Sequence, residues 1–299
     1  MERLPIILDT DPGLDDAIAI AVLAKYAADR LDTVITSYGN VSCALTTDNL
    51  LRCCNLFDIA PFVIKGSSHP LTKTDFADAS HIHGSDGLAG VHVPKAELSV
   101  TEHRPIDILA ARIKAHEKVD YISLGPLTNL AKLLTQHPDV RAHINRVYTM
   151  GGGIAFGNIT KYAEFNIYCD PHAAKTVFDA NLPQTVIPLD TTHQIVLSMD
   201  EIDRLTRTRS MKSGWLRQIL VKNHETNLAQ GEAGCILHDA TAVLAALFPS
   251  IFEYKAAAIA VVTEGEHIGQ TVLSEGSVHT VTQTADRKAV IEYLALAAQ

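Results

Sequence analysis

The sequence has few aromatic residues, a deficit of basic residues and no long apolar run. Aromatic residues make up 6% of the 299 residues, and 34 acidic residues outnumber 25 basic ones to give a formal net charge of −9. A nucleic-acid backbone or an anionic membrane would require clustered lysine and arginine. No apolar stretch reaches the ~18–20 residues that span a bilayer, and the segment 1–13 becomes acidic too early for a signal peptide. We therefore expect neither nucleic acid nor membrane as a main partner.

Cysteine is also scarce and unpatterned. The five cysteines contain no CxxC pair and no spacing typical of a disulfide or zinc framework. They are Cys43, Cys53, Cys54, Cys169 and Cys235. This usage indicates buried thiols in a reducing compartment and predicts a cytoplasmic protein.

Strand-like runs alternate with helix-like runs along most of the chain. The predicted strands are 5–8, 33–38, 61–66, 119–125, 146–152 and 184–189, and the predicted helices are 15–28, 45–59, 106–117, 127–136 and 171–180. This alternation is typical of an α/β fold, a doubly wound and mainly parallel sheet with helices on both faces. The stretch 200–248 is predicted to be a mostly helical elaboration. Three strand-like runs within 256–283 precede a final helix, 286–298, and we expect one domain over 1–299.

Four aspartates lie within eight residues directly after the first predicted strand. The segment 9–16 reads DTDPGLDD, and in doubly wound folds the carboxyl ends of strands hold ligands. Asp15 and Asp16 could cap the amides of the following helix, which explains two of the four. Carboxylates ~4 Å apart repel by about 1 kcal/mol in water and about 4 kcal/mol at an effective dielectric of 20. The cluster therefore favours a bound hard cation over a solvated acidic cap.

Two other kinds of loop also begin with aspartates after a strand. An EF-hand is excluded because Leu14 stands where that loop requires glycine. In a magnesium-dependent phosphatase, Asp9 would be the nucleophile. Such loops usually have threonine or valine where this chain has Gly13. The phosphatase stays open as an alternative.

A series of short motifs follows the acidic loop. They are GNVS at 39–42, HIHGSDG at 81–87, GPLTNLA at 125–131, MGGG at 150–153, GN at 157–158, AEFNIYCDP at 163–171 and HDA at 238–240. Together with DTDPGLDDA at 9–17, their order and spacing resemble the nucleoside hydrolases, calcium-dependent enzymes that cleave nucleosides to ribose and free base. Within that family the chain most resembles the bacterial ribonucleoside hydrolases of pyrimidine or mixed specificity. The resemblance implies a Rossmann-like nucleoside hydrolase fold, Ca²⁺ as cofactor, ribonucleosides as substrates and a homodimer or homotetramer.

The resemblance also implies a set of metal ligands. Asp11, Asp16, Asp239 and the backbone carbonyl of Leu124 would bind calcium, which accepts about 6–8 oxygens in flexible geometry. Taken alone, Asp239 could simply cap the apolar helix that follows it. Two aspartates of the loop have other expected roles.

Asp9 is expected to support the metal shell without touching the ion. Asp15 would be the general base that takes a proton from water, because Asp11 and Asp16 are occupied by the cation. A non-catalytic ribose- or nucleoside-binding protein is the third candidate function, but no expected catalytic group is missing from the chain.

Amide and carboxylate side chains further along would bind the sugar. On the residues alone, Asn40, Asn158, Glu164 and Asn166 are as compatible with turns and loop caps as with a ligand, although vicinal hydroxyls require paired donors and acceptors. The resemblance places these four residues on the ribose. It also implies that Met150 belongs to the substrate-binding residues.

Histidines are expected on the nucleobase side. His81 and His83 would project to the same side if their backbone were extended, and solvent exposure is the alternative. The resemblance implies that His83 lies close to the base and that His238 lies opposite, where His238 would protonate the leaving base. The alternative for His238 is simple packing beside Asp239. The segment 222–237, which would shape the base pocket, contains no tyrosine to place beside a base, so the preferred base stays open.

Overall fold

The computed structural model describes residues 3–72 and 78–299, and only the backbone of residue 277. A nine-stranded sheet forms its centre. The strands of this sheet are β1 (Ile6–Thr10), β2 (Leu31–Thr36), β3 (Phe62–Lys65), β4 (Val100–Thr101), β5 (Val119–Ser123), β6 (Ile144–Met150), β7 (Gln184–Ile187), β10 (Phe252–Val261) and β11 (Thr271–Ala285). Their order is β10-β11-β7-β6-β5-β1-β2-β3-β4. β10 runs antiparallel to β11, and the other neighbouring pairs run parallel.

Helices cover both faces of the sheet. They are α1 (Leu14–Ala27), α2 (Cys43–Phe57), α3 (Ser80–His83), α4 (Pro105–Lys114), α5 (Thr128–Gln136), α6 (Phe165–Cys169), α7 (Pro171–Phe178), α8 (Leu189–Thr192), α9 (Met199–Leu205), α10 (Met211–Ala229), α11 (His238–Leu247) and α12 (Arg287–Ala297). Two short 3₁₀ segments, Pro138–His143 and Pro249–Ile251, and a separate strand pair, β8 (Val196–Leu197) with β9 (Cys235–Ile236), complete the elements.

The central strands are apolar on both sides because both faces are buried. In β1, Ile6 and Leu8 pack into the core on one face, whereas Ile7 packs into the core on the other. Successive side chains of a strand point to opposite faces, so a strand covered by two helical layers needs apolar side chains on both faces. The predicted doubly wound α/β fold is confirmed.

The prediction of a mostly helical stretch over 200–248 agrees with the structure, which has α9, α10 and α11 there and the short strand β9 between the last two. The prediction for the strands that follow differs. The three strand-like runs within 256–283 form two strands, because the last two runs join in β11. The pairing of β11 with β10 jumps from Ser274 opposite Ala258 to His279 opposite Ala257, so the chain between them bulges out without ending the strand.

Two expectations from the sequence concern a membrane and the oxidation state of the cysteines. Within residues 3–72 and 78–299, no helix is both long enough and apolar enough to cross a membrane. All five cysteines are buried thiols, and within this described part of the chain none forms a disulfide.

Candidate active site

A cavity of about 630 Å³ lies at the carboxyl ends of the central parallel strands. Asp11 and Asp15 follow β1, Asn40 follows β2, and Leu124 follows β5. Met150 ends β6. The cavity brings together the predicted site residues apart from Asp16, which within the described residues is buried beside them rather than in the lining. The other predicted site residues that line the cavity are His83, Asn158, Glu164, Asn166, His238 and Asp239.

Asp16 is the centre of the turn between β1 and α1. The Thr10 hydroxyl and the Asp11 N–H donate to its Oδ1. The Gly13 N–H donates to Oδ2 at 3.0 Å, and Asn40 Nδ2 donates to the same oxygen at 2.9 Å. One of these donors, the N–H of the N-cap residue Gly13, lies at the start of α1, where a carboxylate is stabilised by the helix dipole. The capping interpretation of Asp16 is therefore realised, alongside any role in metal binding.

Asp11 is confined by glycines on two neighbouring loops. A Cβ atom added to Gly39 would lie 2.0 Å from Asp11 Oδ2, and one added to Gly125 would lie 2.3 Å from Oδ1. The Asn40 N–H donates to Oδ2 at 2.8 Å. Burial and the charge of Asp16 raise the pKa of Asp11 well above its usual range. The glycines of the GN and GP motifs thus make room for one carboxylate.

Asp15 links the acidic loop to the start of α11. The N–H groups of His238 and Asp239 donate to Asp15 Oδ2 at 2.8 and 2.9 Å. Its Oδ1 is buried and, among the residues of 3–72 and 78–299, has no hydrogen-bond partner. Burial raises the pKa of Asp15 to about 7 despite these two bonds, and the charge of Asp16 adds to the shift. Asp15 therefore lines the cavity with a carboxyl group that can exchange a proton near neutral pH.

Asp9 faces away from the cavity into the protein. Tyr121 and Asn129 donate to its two carboxylate oxygens, both at 2.9 Å, and Asp9 is not among the described residues that line the cavity. Burial raises its pKa to about 7 even though both hydrogen bonds lower it. A buried carboxylate whose two oxygens both accept hydrogen bonds is not placed to attack a phosphate ester. This geometry disfavours the phosphatase alternative.

The donor set fits a hard cation. Burial raises the pKa of Asp239 well above its usual range, and the neighbouring carboxylates of Asp16, Asp15 and Asp11 raise it further. Neighbouring carboxylates of this kind need a shared proton or a cation. Within the described part of the chain, no group of three or more Asp, Glu, His or Cys side chains is arranged closely enough to hold a metal ion by itself. Carboxylate and carbonyl oxygens nevertheless match the preference of a cation such as Ca²⁺.

Several predicted ribose ligands also support the local structure. Glu164 caps α6 by accepting from the N–H groups of Asn166, Ile167 and Gly152. A carboxylate has about four lone-pair sites, so one acceptor site is left for a ligand. Asn166 Nδ2 donates to the Leu124 carbonyl at 2.7 Å, which leaves its carboxamide oxygen as an acceptor. Both the capping and the ligand interpretations are compatible with this geometry.

The other two ribose candidates differ in exposure. Asn40 is buried, and its Nδ2 donates to the Asp11 carbonyl at 3.0 Å as well as to Asp16. Asn158 is exposed in the cavity wall, and its Oδ1 accepts from the Phe165 N–H at 2.9 Å. Asn40 thus stabilises the acidic loop, whereas Asn158 presents its amide to the cavity.

The HIHG motif forms a helical turn, α3, so the premise of an extended backbone is wrong. His81 is exposed and His83 is buried, although both line the cavity. The Leu14 N–H donates to His83 Nδ1 at 3.1 Å. Burial lowers the pKa of His83 to about 4. His83 is therefore a neutral imidazole with its Nε2–H as the remaining donor.

His238 has a polar partner and a second imidazole beside it. Its Nδ1 lies 2.7 Å from the Thr192 hydroxyl, and the ring centroids of His193 and His238 are 5.5 Å apart. Burial, together with the charges of His193 and His83, lowers the pKa of His238 to about 3. A neutral His238 can donate a hydrogen bond to a leaving base, but it is a weak source of a full proton at neutral pH.

One wall of the cavity contains no residue that the sequence had predicted as a site residue. This wall consists of Phe156, His193, Asn223, Asn227, Gln230 and Glu232. Four of these residues lie in the segment 222–237, but their side chains look in the sequence like those of any solvated helix face. The aromatic contact that a tyrosine of this segment would supply is available instead from Phe156, which comes from the loop after β6 and packs edge-on against His193.

Comparison with known proteins gives the family that the sequence motifs resemble. The family model of inosine-uridine preferring nucleoside hydrolases matches residues 6–292. The chain is 35% identical over 272 residues to the non-specific ribonucleoside hydrolase RihC of Escherichia fergusonii, covering 91% of this chain and 88% of the relative. A purine-preferring ribonucleoside hydrolase from Gardnerella vaginalis matches with a TM-score of 0.91 and 26% identity over 98% of both chains. The plant nucleoside hydrolase PpNRh1 matches with a TM-score of 0.88 and 26% identity over 99% of both chains.

The doubly wound sheet and the acidic cavity at its carboxyl edge are those of a nucleoside-cleaving hydrolase. The chain belongs to the family of inosine-uridine preferring nucleoside hydrolases. The resemblance read from the eight motifs is confirmed, and the family is one of metal-dependent hydrolases.

Proposed function

We propose that this chain hydrolyses the N-glycosidic bond of ribonucleosides, releasing ribose and free base in nucleoside salvage or catabolism. The observation that carries the proposal is one cavity that is lined both by buried carboxylates and by imidazole and amide side chains. Carboxylates suit sugar hydroxyls and a cation, whereas imidazoles and amides suit the edges of a base. Pyrimidine or mixed base specificity is the expectation from the motifs.

Calcium is the proposed cofactor. Asp11, Asp16, Asp239 and the Leu124 carbonyl would hold it, and the oxygen-only donor set supports this choice. When bound, such a cation supplies positive charge that acidifies a nearby water and attracts ribose hydroxyls. The Leu124 carbonyl already accepts from Asn166, so it has one lone pair for a cation.

Asp15 is the proposed general base. Breaking an N-glycosidic bond develops positive charge on the ribosyl ring, and a water must lose a proton as it adds to the anomeric carbon. The partnerless Oδ1 of Asp15 is an acceptor for that proton, while Oδ2 is held by the amides of His238 and Asp239. The pKa of about 7 supports a base that is ionised in part of the molecules at neutral pH.

The sugar and the base would be held by different parts of the cavity. Asn40, Asn158, Glu164 and Asn166 are the proposed ribose ligands, with Met150 beside them. His83 and His238 are the proposed contacts of the base, each offering a neutral imidazole. This division predicts that loss of a ribose ligand affects all nucleosides, whatever their base.

The location and assembly of the enzyme are separate proposals. A cytoplasmic location is supported by five buried cysteines that are free thiols. A homodimer or homotetramer stays a prediction from the family resemblance, and light scattering on the purified chain tests it. One functional domain over 1–299 is supported by a sheet whose strands run from Ile6 to Ala285.

The test is release of reducing sugar from uridine and inosine. We expect the purified chain to release ribose from at least one of them, and the alternatives make different predictions. A phosphatase would instead release phosphate from sugar phosphates and be inhibited by beryllium fluoride. A binding protein would bind nucleosides without releasing sugar. Either result would contradict the proposed function.

A further inference from the structure

The C-terminal end of α10 is closed by a cap that fixes the position of Glu232. Gly231 has a φ of +88°, in the left-handed region that favours glycine. Its N–H donates to the Leu228 carbonyl at 3.1 Å, and the Glu232 N–H donates to the Asn227 carbonyl at 3.0 Å. This is the Schellman arrangement, in which a left-handed residue reverses the chain after the last helical turn. The cap therefore holds the backbone of Glu232 beside that of Asn227, and both residues line the cavity.

Two imidazole rings separate Glu232 from the carboxylate cluster. Glu232 Oε2 lies 3.8 Å from His193 Nδ1, and the ring of His193 adjoins that of His238 at 5.5 Å. Phe156 packs against His193 with its ring 4.9 Å away and nearly perpendicular. The backbone of His238 donates to Asp15. Along this wall, Glu232 thus marks the end of the cavity that is far from Asp15.

Glu232 and Asn227 both line the cavity and both carry acceptor oxygens. A carboxylate accepts hydrogen bonds and donates none. Asn227 Nδ2 donates to Asn223 Oδ1 at 2.9 Å, which orients the carboxamide and leaves its oxygen and one N–H for a ligand. Two neighbouring acceptors match a base edge that carries N–H donors. Bonds in which the acceptor is charged are roughly twice as strong as neutral ones.

We propose that Glu232, together with Asn227, recognises the N–H donors on the six-membered ring of a 6-oxopurine. This inference rests on the proposed ribonucleoside hydrolysis and adds guanosine and inosine as the substrates that this wall selects. A purine carries its N1–H on the ring that is remote from the ribose, whereas uracil carries its N3–H on the ring attached to the sugar. Only the purine edge therefore extends past the two imidazoles to Glu232. Guanine offers two adjacent N–H donors and hypoxanthine one.

The experiment compares kcat/KM of the wild type and of Glu232→Gln for guanosine, inosine, uridine and p-nitrophenyl riboside. We expect a loss of about tenfold for inosine and more for guanosine, because a charge-assisted hydrogen bond is lost. Uridine and p-nitrophenyl riboside should change less than about threefold, within the effect of a neutral surface substitution. The matched control is Glu225→Gln, since Glu225 lies on the exposed side of α10 in an ion pair with Lys222. The control should change none of the four values.

A second variant tests the same contact through the cap. Gly231→Ala strains the left-handed position and displaces Glu232, so it should reproduce the order guanosine, inosine, uridine with smaller losses. Equal losses on all four substrates, or undiminished cleavage of guanosine and inosine by Glu232→Gln, would overturn the inference. If the wild type released ribose from no substrate, the proposed function would fail instead, so the two failures are distinguishable.

Discussion

Asp15 is the residue on which the proposed chemistry depends most. One of its oxygens is held by two backbone amides, and the other is buried without a partner among the described residues. In Asp15→Asn, the carboxamide oxygen can still accept from both amides, so the fold is preserved. We expect kcat to fall by about 10²–10⁴, the range typical of a lost general base, with bound calcium unchanged. Steady-state kinetics and metal analysis of the same sample measure both quantities. Full activity of this variant would show that another group takes the proton.

His238 makes the more demanding prediction at this scale. Its neutral ring can donate to a leaving base, and a p-nitrophenolate leaving group needs no such donor. His238→Ala should therefore lose about tenfold or more on inosine and uridine, as expected for a lost catalytic hydrogen bond, while hydrolysis of p-nitrophenyl riboside is retained. Parallel kinetics on the three substrates measure the difference. Equal losses would mean that His238 positions the ribose or the Asp239 carboxylate.

At the scale of elements, the loop after β5 fits tightly against Asp11. A Cβ on Gly125 would lie 2.3 Å from Asp11 Oδ1 and 2.8 Å from its Cγ, so Gly125→Ala must displace that carboxylate. We expect calcium affinity in calorimetric titration to fall by about tenfold or more, equivalent to about 1.4 kcal/mol. Gly214→Ala is the control, because Gly214 lies within α10 with no atom within 4 Å of an added Cβ. Unchanged affinity in Gly125→Ala would remove Asp11 from the metal site.

The elements themselves were predictable, because burial on both faces makes each central strand a short apolar run and each helix a periodic one. The long β11 was not, since its bulge between Ser274 and His279 reads in the sequence as a break. The turn at His81 and His83 was not predictable from residue alternation, because one helical turn leaves too short a pattern.

The candidate site also has a part that was predictable from the sequence and a part that was not. Its acidic half was predictable, because four aspartates crowded after a strand repel one another unless a cation or a proton lies between them. The wall formed by Asn227 and Glu232 was not, since polar residues at a helix end look the same whether they face water or a ligand. The double use of Glu164 as helix cap and proposed ribose ligand was also hidden, because each role alone accounts for that residue.

For the whole molecule, the buried carboxylates couple stability to pH and to cations. The pKa of Asp9 and of Asp15 is raised from 3.8 to about 7, so between these values the folded chain binds more protons than the unfolded chain. The free energy of unfolding of the metal-free protein should therefore fall as pH rises from about 4 to about 7. The pKa of Asp11 and of Asp239, two proposed calcium ligands, is also raised well above its usual range, and a bound cation would displace the protons from these two carboxyls. We expect calcium to raise the melting temperature more at pH 8 than at pH 5. A shift that is equal or larger at pH 5 would contradict this coupling.

We propose that the oxygen cluster around Asp11, Asp16 and Asp239 binds calcium and that this cation is needed to cleave ribonucleosides. The most direct measurement is to chelate the purified chain exhaustively, titrate calcium back, and follow bound calcium and ribose release from inosine and uridine in the same samples. We expect activity to be lost on chelation and to return in proportion to bound calcium, reaching its maximum at one ion per chain. Full ribose release from protein that metal analysis shows to be free of cations would contradict it.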